Sequence, residues 1–257
     1  MIWEAENNYG VSIRFRKQGS LARKTWIGSA RDGAHCWGGV ALDESRGIVY
    51  AAMGAARPDF IGVDRKGDNL FANCIVALDV RSGKRLWHFQ NIRHDTWDLD
   101  NPAPPNLATI TRNGRRFDVV VAVTKEGGTL LLDRLSGKPE FPFRLRRAPE
   151  SKLPGEITAI YQPYPELPEP FSSPEFKLAD VTTRTAAARE FVLKQIERAN
   201  YGWYEPFAEA RPTLFRSSRG GAEWTGACVD VPTGRLYVST NHLLSGCDGL
   251  PVRRAWS

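Results

Sequence analysis

The 257-residue chain has only four cysteines, and their spacing does not match the common metal and redox motifs. Cys36, Cys74, Cys228 and Cys247 form no Cys-x-x-Cys pair, and no histidine lies at zinc-ligand spacing from them. This pattern argues against a zinc knuckle and against a thioredoxin-type redox site. We expect the cysteines to act as small buried apolar residues.

Long apolar runs are absent as well. No stretch approaches the roughly 18 consecutive apolar residues that a membrane-spanning helix needs. Residues 1–10 are polar and acidic, whereas a secretory signal starts with basic residues followed by an apolar run. We therefore expect neither a transmembrane helix nor a signal peptide in this chain.

Positive charge exceeds negative charge, but it is not concentrated. Lys and Arg total 35 against 29 Asp and Glu, a net charge of +6. The basic residues are scattered, and only Arg144, Arg146 and Arg147 form a small cluster. Nucleic-acid-binding domains gather their basic residues on one face. The sequence thus predicts no nucleic-acid partner and a solvated positive surface that favours an acidic partner or a membrane face.

Two pairs of segments repeat within the chain. Segments 77–87 and 131–141 share an aspartate, a Ser-Gly-Lys triplet and a terminal aromatic residue in the same register. Segments 37–50 and 224–237 share a Trp-x-Gly start, an aspartate, a glycine and a final tyrosine. Each segment has the pattern of a β-hairpin with Asp and Gly in its turn.

Short β-rich runs separated by Gly, Asp and Asn indicate an all-β fold. The aromatic residue that ends each repeat, Trp87 or Phe141, suggests a β-propeller in which it packs into the next blade. The alternative is that both are ordinary core aromatics. The β-rich runs are 48–53, 74–78, 117–124, 129–132 and 236–240.

The interval 149–200 differs from its surroundings. Its first half, 149–174, contains seven prolines and no alternation of apolar and polar residues, which predicts a long loop or insertion. The second half, 182–200, places a threonine cap before good helix formers, with Phe191, Val192 and Ile196 on one face. We expect one surface helix inserted between two blades.

The segment 87–105 carries three aspartates, two histidines and two tryptophans beside a proline-rich turn. Asp98 lies between an indole and an apolar residue, so partial desolvation can make it an effective proton acceptor at neutral pH. An alternative is purely structural, with Asp95, Asp98 and Asp100 capping turns and pairing with Arg93.

From about Gly33 to Asn241 the chain resembles the pyrroloquinoline quinone-dependent dehydrogenases, in the branch that contains membrane glucose dehydrogenase. That resemblance implies part of an eight-bladed propeller, about four blades, over residues 33–244 with the insertion at 149–200. Residues 1–32 and 245–257 do not resemble the family. The matching motifs are Cys36–Asp43, Pro58–Gly62, Arg65–Asn73, His94–Asp98, Val123–Gly127 and Gly220–Trp224.

The resemblance also implies residue roles. Asp98 would be the general base that takes the substrate hydroxyl proton, and it would also contact the metal. Lys125 would hydrogen-bond the quinone oxygens, a second catalytic role, and Trp37 would lie under the flat quinone. Asn241 and Trp224 would complete the cofactor pocket.

One position departs from the family pattern. In Met53-Gly54-Ala55-Ala56-Arg57-Pro58, the asparagine that would offer an oxygen to calcium is replaced by Ala55, and a methyl group cannot bind a hard cation. We expect a weakened calcium site. Arg57 is a candidate for a compensating positive charge, an idea to be dropped if its guanidinium points into solvent.

The function implied is oxidation of a hydroxyl group of an alcohol, polyol or sugar by hydride transfer to pyrroloquinoline quinone. Electrons would pass to a respiratory acceptor, a quinone or a cytochrome, and the family resemblance places the reaction in the periplasm. Another propeller half would complement this chain. The alternative is a non-catalytic, truncated propeller fragment that acts as a scaffold or has no function.

Overall fold

Strands dominate the computed structural model, which describes residues 2–4, 12–14, 20–28, 33–173, 175–216 and 219–247. The helices are α1 (Ser20–Arg23), α2 (Ala186–Ile196) and a 3-10 helix (Leu178–Asp180). The strands are β1 (Ile2–Glu4), β2 (Ser12–Arg14), β3 (Val40–Asp43), β4 (Ile48–Ala52), β5 (Leu70–Asp79), β6 (Arg85–Gln90), β7 (Asn106–Arg112), β8 (Arg115–Val123), β9 (Thr129–Asp133), β10 (Phe143–Arg147), β11 (Tyr161–Pro165), β12 (Asn200–Tyr201), β13 (Thr213–Phe215), β14 (Gly221–Asp230), β15 (Arg235–Asn241) and β16 (Ser245–Cys247).

Three antiparallel sheets pack face to face in chain order. The first is a four-stranded meander, β3-β4-β5-β6, the second has the order β7-β8-β9, and the third is the hairpin β14-β15. An apolar cluster that includes Ile75, Val120 and Leu132 joins the first sheet to the second. Another cluster packs Val229 and Leu236 of the third sheet against the second. This stacking of open meander sheets confirms the predicted all-β, partial-propeller class.

The repeated Asp-x-x-Ser-Gly turns have the same hydrogen bonds in both copies. In the turn before β6, Asp79 Oδ1 accepts from the Ser82 backbone N–H at 2.8 Å and from its hydroxyl at 2.6 Å. The turn after β9 repeats this, with Ser136 donating to Asp133 Oδ1 at 2.7 and 2.6 Å. The local turn chemistry therefore explains the sequence repeat.

Trp87 packs into the neighbouring sheet as the repeat predicted. It is buried in the cluster between the first two sheets, and its Nε1 donates to the Arg134 carbonyl at 3.1 Å. Tyr50 Oη donates to the same carbonyl at 3.0 Å. Phe141 behaves differently, because it is only half-buried and lies under the Arg112 guanidinium, 4.5 Å from the ring centroid.

Gly137 is a test of the contact between the sheets. It has φ +69°, and a Cβ there would lie 2.4 Å from the Trp87 ring. We expect Gly137→Ala to lower the free energy of unfolding by about 2–3 kcal/mol, because backbone strain and overpacking add. Gly234→Ala is the matched control, since φ is +68° and no atom lies within 4 Å of its added Cβ. Denaturant unfolding that gave equal losses for the two variants would contradict this interpretation.

The insertion contains more regular structure than predicted. Part of the proline-rich interval forms β11, which pairs antiparallel with β10 in a two-stranded sheet. Helix α2 begins after Thr185, whose Oγ1 accepts from the Ala188 backbone N–H at 3.0 Å. Its buried face is Val192, Leu193 and Ile196. The prediction for Phe191 is wrong, because its side chain is 66 % exposed.

Two of the cysteines have the expected environment. Cys36 and Cys74 are buried free thiols, and burial raises the pKa of Cys36 to about 11. Cys228 is exposed, contrary to expectation, because it lies on the open face of the β14-β15 hairpin. The Cys247 side chain is outside the described residues. No helix in the described ranges has the length and hydropathy needed to cross a membrane.

Candidate active site

The loop between β6 and β7 presents the aspartates of the candidate site. Asp95 is fully buried and caps the turn, since its oxygens accept from the backbone N–H groups of Trp97 and Leu99, both at 2.8 Å. The turn brings Asp98 to φ +59°, in the left-handed region. The alternative role of capping a turn therefore applies to Asp95, whereas Asp98 and Asp100 have different partners.

Lys125 follows the apolar strand β8 and lies between these two aspartates. Its Nζ donates to Asp100 Oδ2 at 2.6 Å and to Asp98 Oδ2 at 3.3 Å. Asp100 Oδ1 accepts from the Ala55 backbone N–H at 2.6 Å. Arg93 instead lies 3.9 Å from Asp68, so the suggested pairing of Arg93 with Asp98 and Asp100 is wrong.

The two aspartates have opposite proton affinities. Burial, together with the neighbouring Asp100 charge, raises the pKa of Asp98 to about 8. Burial alone would raise the pKa of Asp100 too, but the charge and hydrogen bond of Lys125 hold it below its usual value. Desolvation opposes the charge on Lys125, yet the two carboxylates raise its pKa. One carboxyl is thus poised to exchange a proton near neutral pH and the other remains ionised.

Trp37 covers one side of this group. The Lys125 Nζ lies 5.9 Å from the centroid of its ring, and the side chain is 43 % exposed. Gly54 is required beneath it, since a Cβ there would lie 2.5 Å from Asp100 Oδ1 and 3.1 Å from Trp37 Nε1. The structure therefore brings Asp98, Lys125 and Trp37 together around an open indole face.

The start of β14 closes against the same lysine. Ala222 N–H donates to the Thr124 carbonyl at 3.2 Å, and a Cβ on Gly221 would lie 2.1 Å from the Lys125 carbonyl oxygen. Asn241 pairs with Gly221 across the hairpin, which places it one strand away from Lys125. Trp224 is 69 % exposed, and among the described residues it forms no hydrogen bond or cation–π contact with Asp98 or Lys125.

The sequence interpretation missed two acidic residues near Lys125. Glu223 Oε1 is buried without a hydrogen-bond partner among the described residues, and burial raises the pKa of this carboxyl while Lys125 lowers it. Burial also raises the pKa of Asp59, whereas the Arg57 and Lys125 charges lower it. Both residues lie inside motifs of the family resemblance, Pro58–Gly62 and Gly220–Trp224. Their position in these motifs is the sequence signal that could have identified them.

Arg57 does not supply the compensating charge considered above. Its side chain is 63 % exposed, and Nη1 donates to Asp59 Oδ2 at 3.1 Å. Among the described residues, no group of three or more His, Cys, Asp or Glu side chains is arranged to hold a metal ion. The region around Ala55 therefore offers a backbone N–H to Asp100 rather than an oxygen to a cation.

His94 attaches the insertion to the site loop. Its Nε2 lies 2.6 Å from Glu156 Oε1, and Glu156 Oε2 accepts from the Gly62 N–H at 2.6 Å. Both side chains are almost completely buried. This contact joins the 94–100 loop, the Pro58–Gly62 motif and the insertion, and so fixes the backbone that carries Asp98.

Glu126 forms a second buried acidic site beside Lys125. Its oxygens accept from Tyr204 Oη at 2.6 Å and from Asn91 Nδ2 at 3.3 Å. Burial nevertheless raises the pKa of Glu126 to about 7. The folded state therefore favours the protonated acid more strongly than the unfolded chain does.

Glu126→Gln is expected to flatten part of the dependence of stability on pH. The raised pKa stabilises the native fold below the unfolded value of 4.5, and this contribution is lost as pH rises through about 7. The loss is up to about 3 kcal/mol. The difference in unfolding free energy between Glu126→Gln and wild type should therefore increase in favour of the variant over that window.

Chemical denaturation at several pH values measures this difference. Glu150→Gln is the control, because Glu150 is exposed and its salt-bridge partner is the exposed Arg147. A Glu126→Gln curve that remained parallel to that of wild type would show that Glu126 does not carry this proton.

Comparisons with known proteins agree with the strand pattern and the motifs. A family model for the β-propeller domain of PQQ-dependent glucose, ethanol and alcohol dehydrogenases matches residues 13–253. Quinoprotein glucose dehydrogenase of Escherichia coli (strain K12) is 32 % identical over 76 % of this chain and 24 % of its own length. The glycerol dehydrogenase large subunit of Gluconobacter oxydans (strain 621H) is 28 % identical over 82 % and 29 %.

Structural comparison gives the same fold. The crystal structure of quinohemoprotein alcohol dehydrogenase from Comamonas testosteroni superposes with a TM-score of 0.58 at 23 % identity, covering 88 % of this chain and 29 % of that one. The chain therefore spans about a quarter of the length of the relatives that it matches.

Proposed function

The chain belongs to the family of PQQ-dependent glucose, ethanol and alcohol dehydrogenases, and on that premise we propose that it forms the catalytic part of a quinoprotein dehydrogenase. The reaction is oxidation of a hydroxyl group of an alcohol, polyol or sugar. Asp98 accepts the hydroxyl proton as the hydride leaves the carbon. The observation that carries this proposal is Lys125 between Asp98 and Asp100, beside the exposed indole of Trp37.

The residues around Lys125 fit a flat, anionic quinone. Trp37 offers an exposed aromatic face for stacking, and the lack of a Cβ at Gly54 lets the indole and Asp100 pack closely against the backbone there. Lys125 is a cation that can hydrogen-bond quinone oxygens. Asn241 and Trp224 on the β14-β15 hairpin complete the proposed cofactor pocket. The Trp224 side chain is exposed and is therefore available to contact the cofactor.

The donor set fits a hard cation only in part. Asp98 and Asp100 supply carboxylate oxygens, and Glu223 has one buried oxygen without a partner among the described residues. Calcium takes six to eight oxygen ligands. Because Ala55 provides no side-chain oxygen, we propose a weakened calcium site in which Asp98 is one ligand. The described side chains around Lys125 supply fewer oxygens than calcium takes.

The reaction then depends on few groups of this chain. Pyrroloquinoline quinone, when bound, supplies the hydride acceptor. Asp98 takes the substrate proton when it is ionised, and its raised pKa makes that carboxylate a stronger base than an exposed aspartate. Asp100 stays ionised and keeps Lys125 charged. Lys125 would hydrogen-bond the oxygens of a bound quinone and would favour negative charge on them.

The remaining assignments concern the whole protein. We propose that a quinone or cytochrome of the respiratory chain accepts the electrons and that the reaction takes place in the periplasm. The open outer face of the β14-β15 hairpin, where Tyr237 and Trp224 are exposed, suits packing by a further blade. A complementing propeller half is therefore the proposed protein partner, and residues 33–244 form the partial-propeller domain with its insertion.

Reconstitution tests the proposal. The purified chain is given pyrroloquinoline quinone and calcium, and reduction of an artificial electron acceptor is followed with glucose, glycerol and ethanol in turn. A change in quinone absorbance and substrate-dependent reduction are expected. If neither occurs, alone or with a complementing half, the enzyme proposal fails for this chain and the alternative of a non-catalytic scaffold is favoured.

A further inference from the structure

A separate cavity of about 250 Å³ lies within the insertion. Its walls come from four segments: the β10-β11 hairpin, the proline-rich loop 169–173 with Glu175, the turn 126–128 after β8, and the pair Trp203 and Tyr204. The volume lies below the roughly 300–1,000 Å³ typical of drug-sized ligand pockets. It therefore suits a small ligand rather than a peptide or a nucleotide.

The aromatic wall of the cavity is held in place by an arginine. Tyr164 and Trp203 meet edge to face with ring centroids 5.9 Å apart. The Arg146 guanidinium lies 4.3 Å from the Trp203 centroid and 5.5 Å from that of Tyr164. Stacking on two rings orients the guanidinium, whose remaining N–H groups can donate to a ligand. The cavity thus combines flat apolar faces with a fixed donor.

The polar groups of the cavity are mixed in charge. Glu126, Glu169 and Glu175 line it, and of these Glu126 is buried whereas Glu169 is exposed. Arg146 is the cation of the wall, and Lys177 lies 3.6 Å from Glu175 Oε2. Acceptors and donors therefore stand close together without a strong excess of either charge, which matches hydroxyl groups better than a charged ligand.

The loop that covers the cavity is fixed to the turn after Lys125. Phe171 and Ser172 donate their backbone N–H groups to the Gly127 carbonyl at 2.9 and 3.3 Å. Gly127 has φ +91°, and a Cβ there would lie 2.5 Å from Ser172. Only glycine allows this close approach, so the wall around Phe171 is preformed.

From these contacts we propose that the cavity is a binding site for a neutral polyhydroxylated molecule, a sugar or a sugar alcohol. Ring or chain CH groups pack on Tyr164, Trp203 and Phe171, while hydroxyls hydrogen-bond to Arg146 and Glu126. The cavity adjoins the site loop, because Tyr204 of its wall packs edge-on against Trp97 at 4.9 Å. It includes neither Asp98 nor Lys125 and does not rest on the proposed activity.

Isothermal titration calorimetry on the full chain without quinone or metal tests the site. Glucose and sorbitol are the probes, with gluconate and glucosamine as anionic and cationic analogues. Saturable binding of the neutral probes is expected, and about tenfold weaker binding to Arg146→Gln, which removes a charged donor. Arg147→Gln is the matched control in the same strand, since Arg147 is exposed, pairs with Glu150 and is not part of the cavity wall.

A second variant covers the possibility that Arg146→Gln disturbs the aromatic wall. Ser173→Trp places a large side chain at the rim and should block binding while Asp98→Asn leaves it unchanged. The absence of saturable binding of either neutral probe to the wild-type chain would overturn the proposal. Tighter binding of glucosamine or gluconate than of glucose would overturn the ligand class. Retention of binding in Asp98→Asn, even if no turnover is ever seen, separates this site from the proposed catalytic activity.

Discussion

Asp98→Asn is expected to lower the turnover number by a factor of about 10²–10⁴, the usual contribution of a positioned general base. The amide keeps the size of the carboxylate but cannot accept the substrate proton at neutral pH. Lys125 keeps its stronger bond to Asp100 at 2.6 Å, so the pocket beside Trp37 should retain its shape. Binding of the quinone, followed by its absorbance and by quenching of tryptophan fluorescence, should change little.

The comparison variant is Asp68→Asn. Asp68 is a half-exposed acid in the loop that packs beneath the site, and its partner is Arg93 at 3.9 Å. The Asp68→Asn variant should retain the turnover number of the wild-type chain. Full activity in Asp98→Asn would show that the base assignment is wrong. Loss of quinone binding together with turnover would instead assign Asp98 a role in holding the metal or the cofactor.

The parts of the fold that could be predicted are those determined by local sequence. A turn such as Asp79 to Gly83 is fixed by hydrogen bonds within four residues, and so its repeat could be read directly. Trp87 ends such a hairpin, and an apolar aromatic at a sheet edge has to be buried by the next sheet. Two of the predicted strand runs, 48–53 and 74–78, are wholly apolar, a pattern typical of buried strands.

Other features depended on information that local sequence does not carry. Pro163 and Pro165 argued against a strand, but in the part of the chain that the structure describes β11 pairs with β10 alone, and an edge strand tolerates residues without an N–H donor. The helix in the insertion was placed correctly, yet Phe191 faces solvent. Neighbouring helical positions point about 100° apart, so the sequence could not decide which apolar side chain would be buried.

The partners of the candidate site are distant in sequence. Asp100 is 25 residues from Lys125 and 45 from Ala55, so neither contact could be inferred from spacing. Asp98 and Lys125 were found through motifs, which name residues without their neighbours. The unpartnered oxygen of Glu223 lies near Lys125 because β14 packs against the Lys125 backbone. The sequence alone does not reveal that contact.

Lys125→Met is expected to lower the free energy of unfolding by about 3–5 kcal/mol, because it leaves buried carboxylates without their cation. Lys125 is 5 % exposed, and among the described residues it is the one cation that forms salt bridges with Asp98 and Asp100. Methionine has a similar length, so lost packing contributes little. Urea unfolding at neutral pH gives the magnitude, with the exposed Lys138→Met as control.

The double variant Lys125→Met with Asp100→Asn distinguishes electrostatics from packing. If the loss in Lys125→Met comes from an uncompensated Asp100 charge, neutralising that charge should restore a large part of the stability, so the two substitutions will not be additive. The deficit of Lys125→Met should also shrink at acidic pH, where protonation neutralises the same carboxylates. Additive losses that do not depend on pH would mean that Lys125 stabilises the fold through packing alone, and the charge balance proposed for Asp98 and Asp100 would then be wrong.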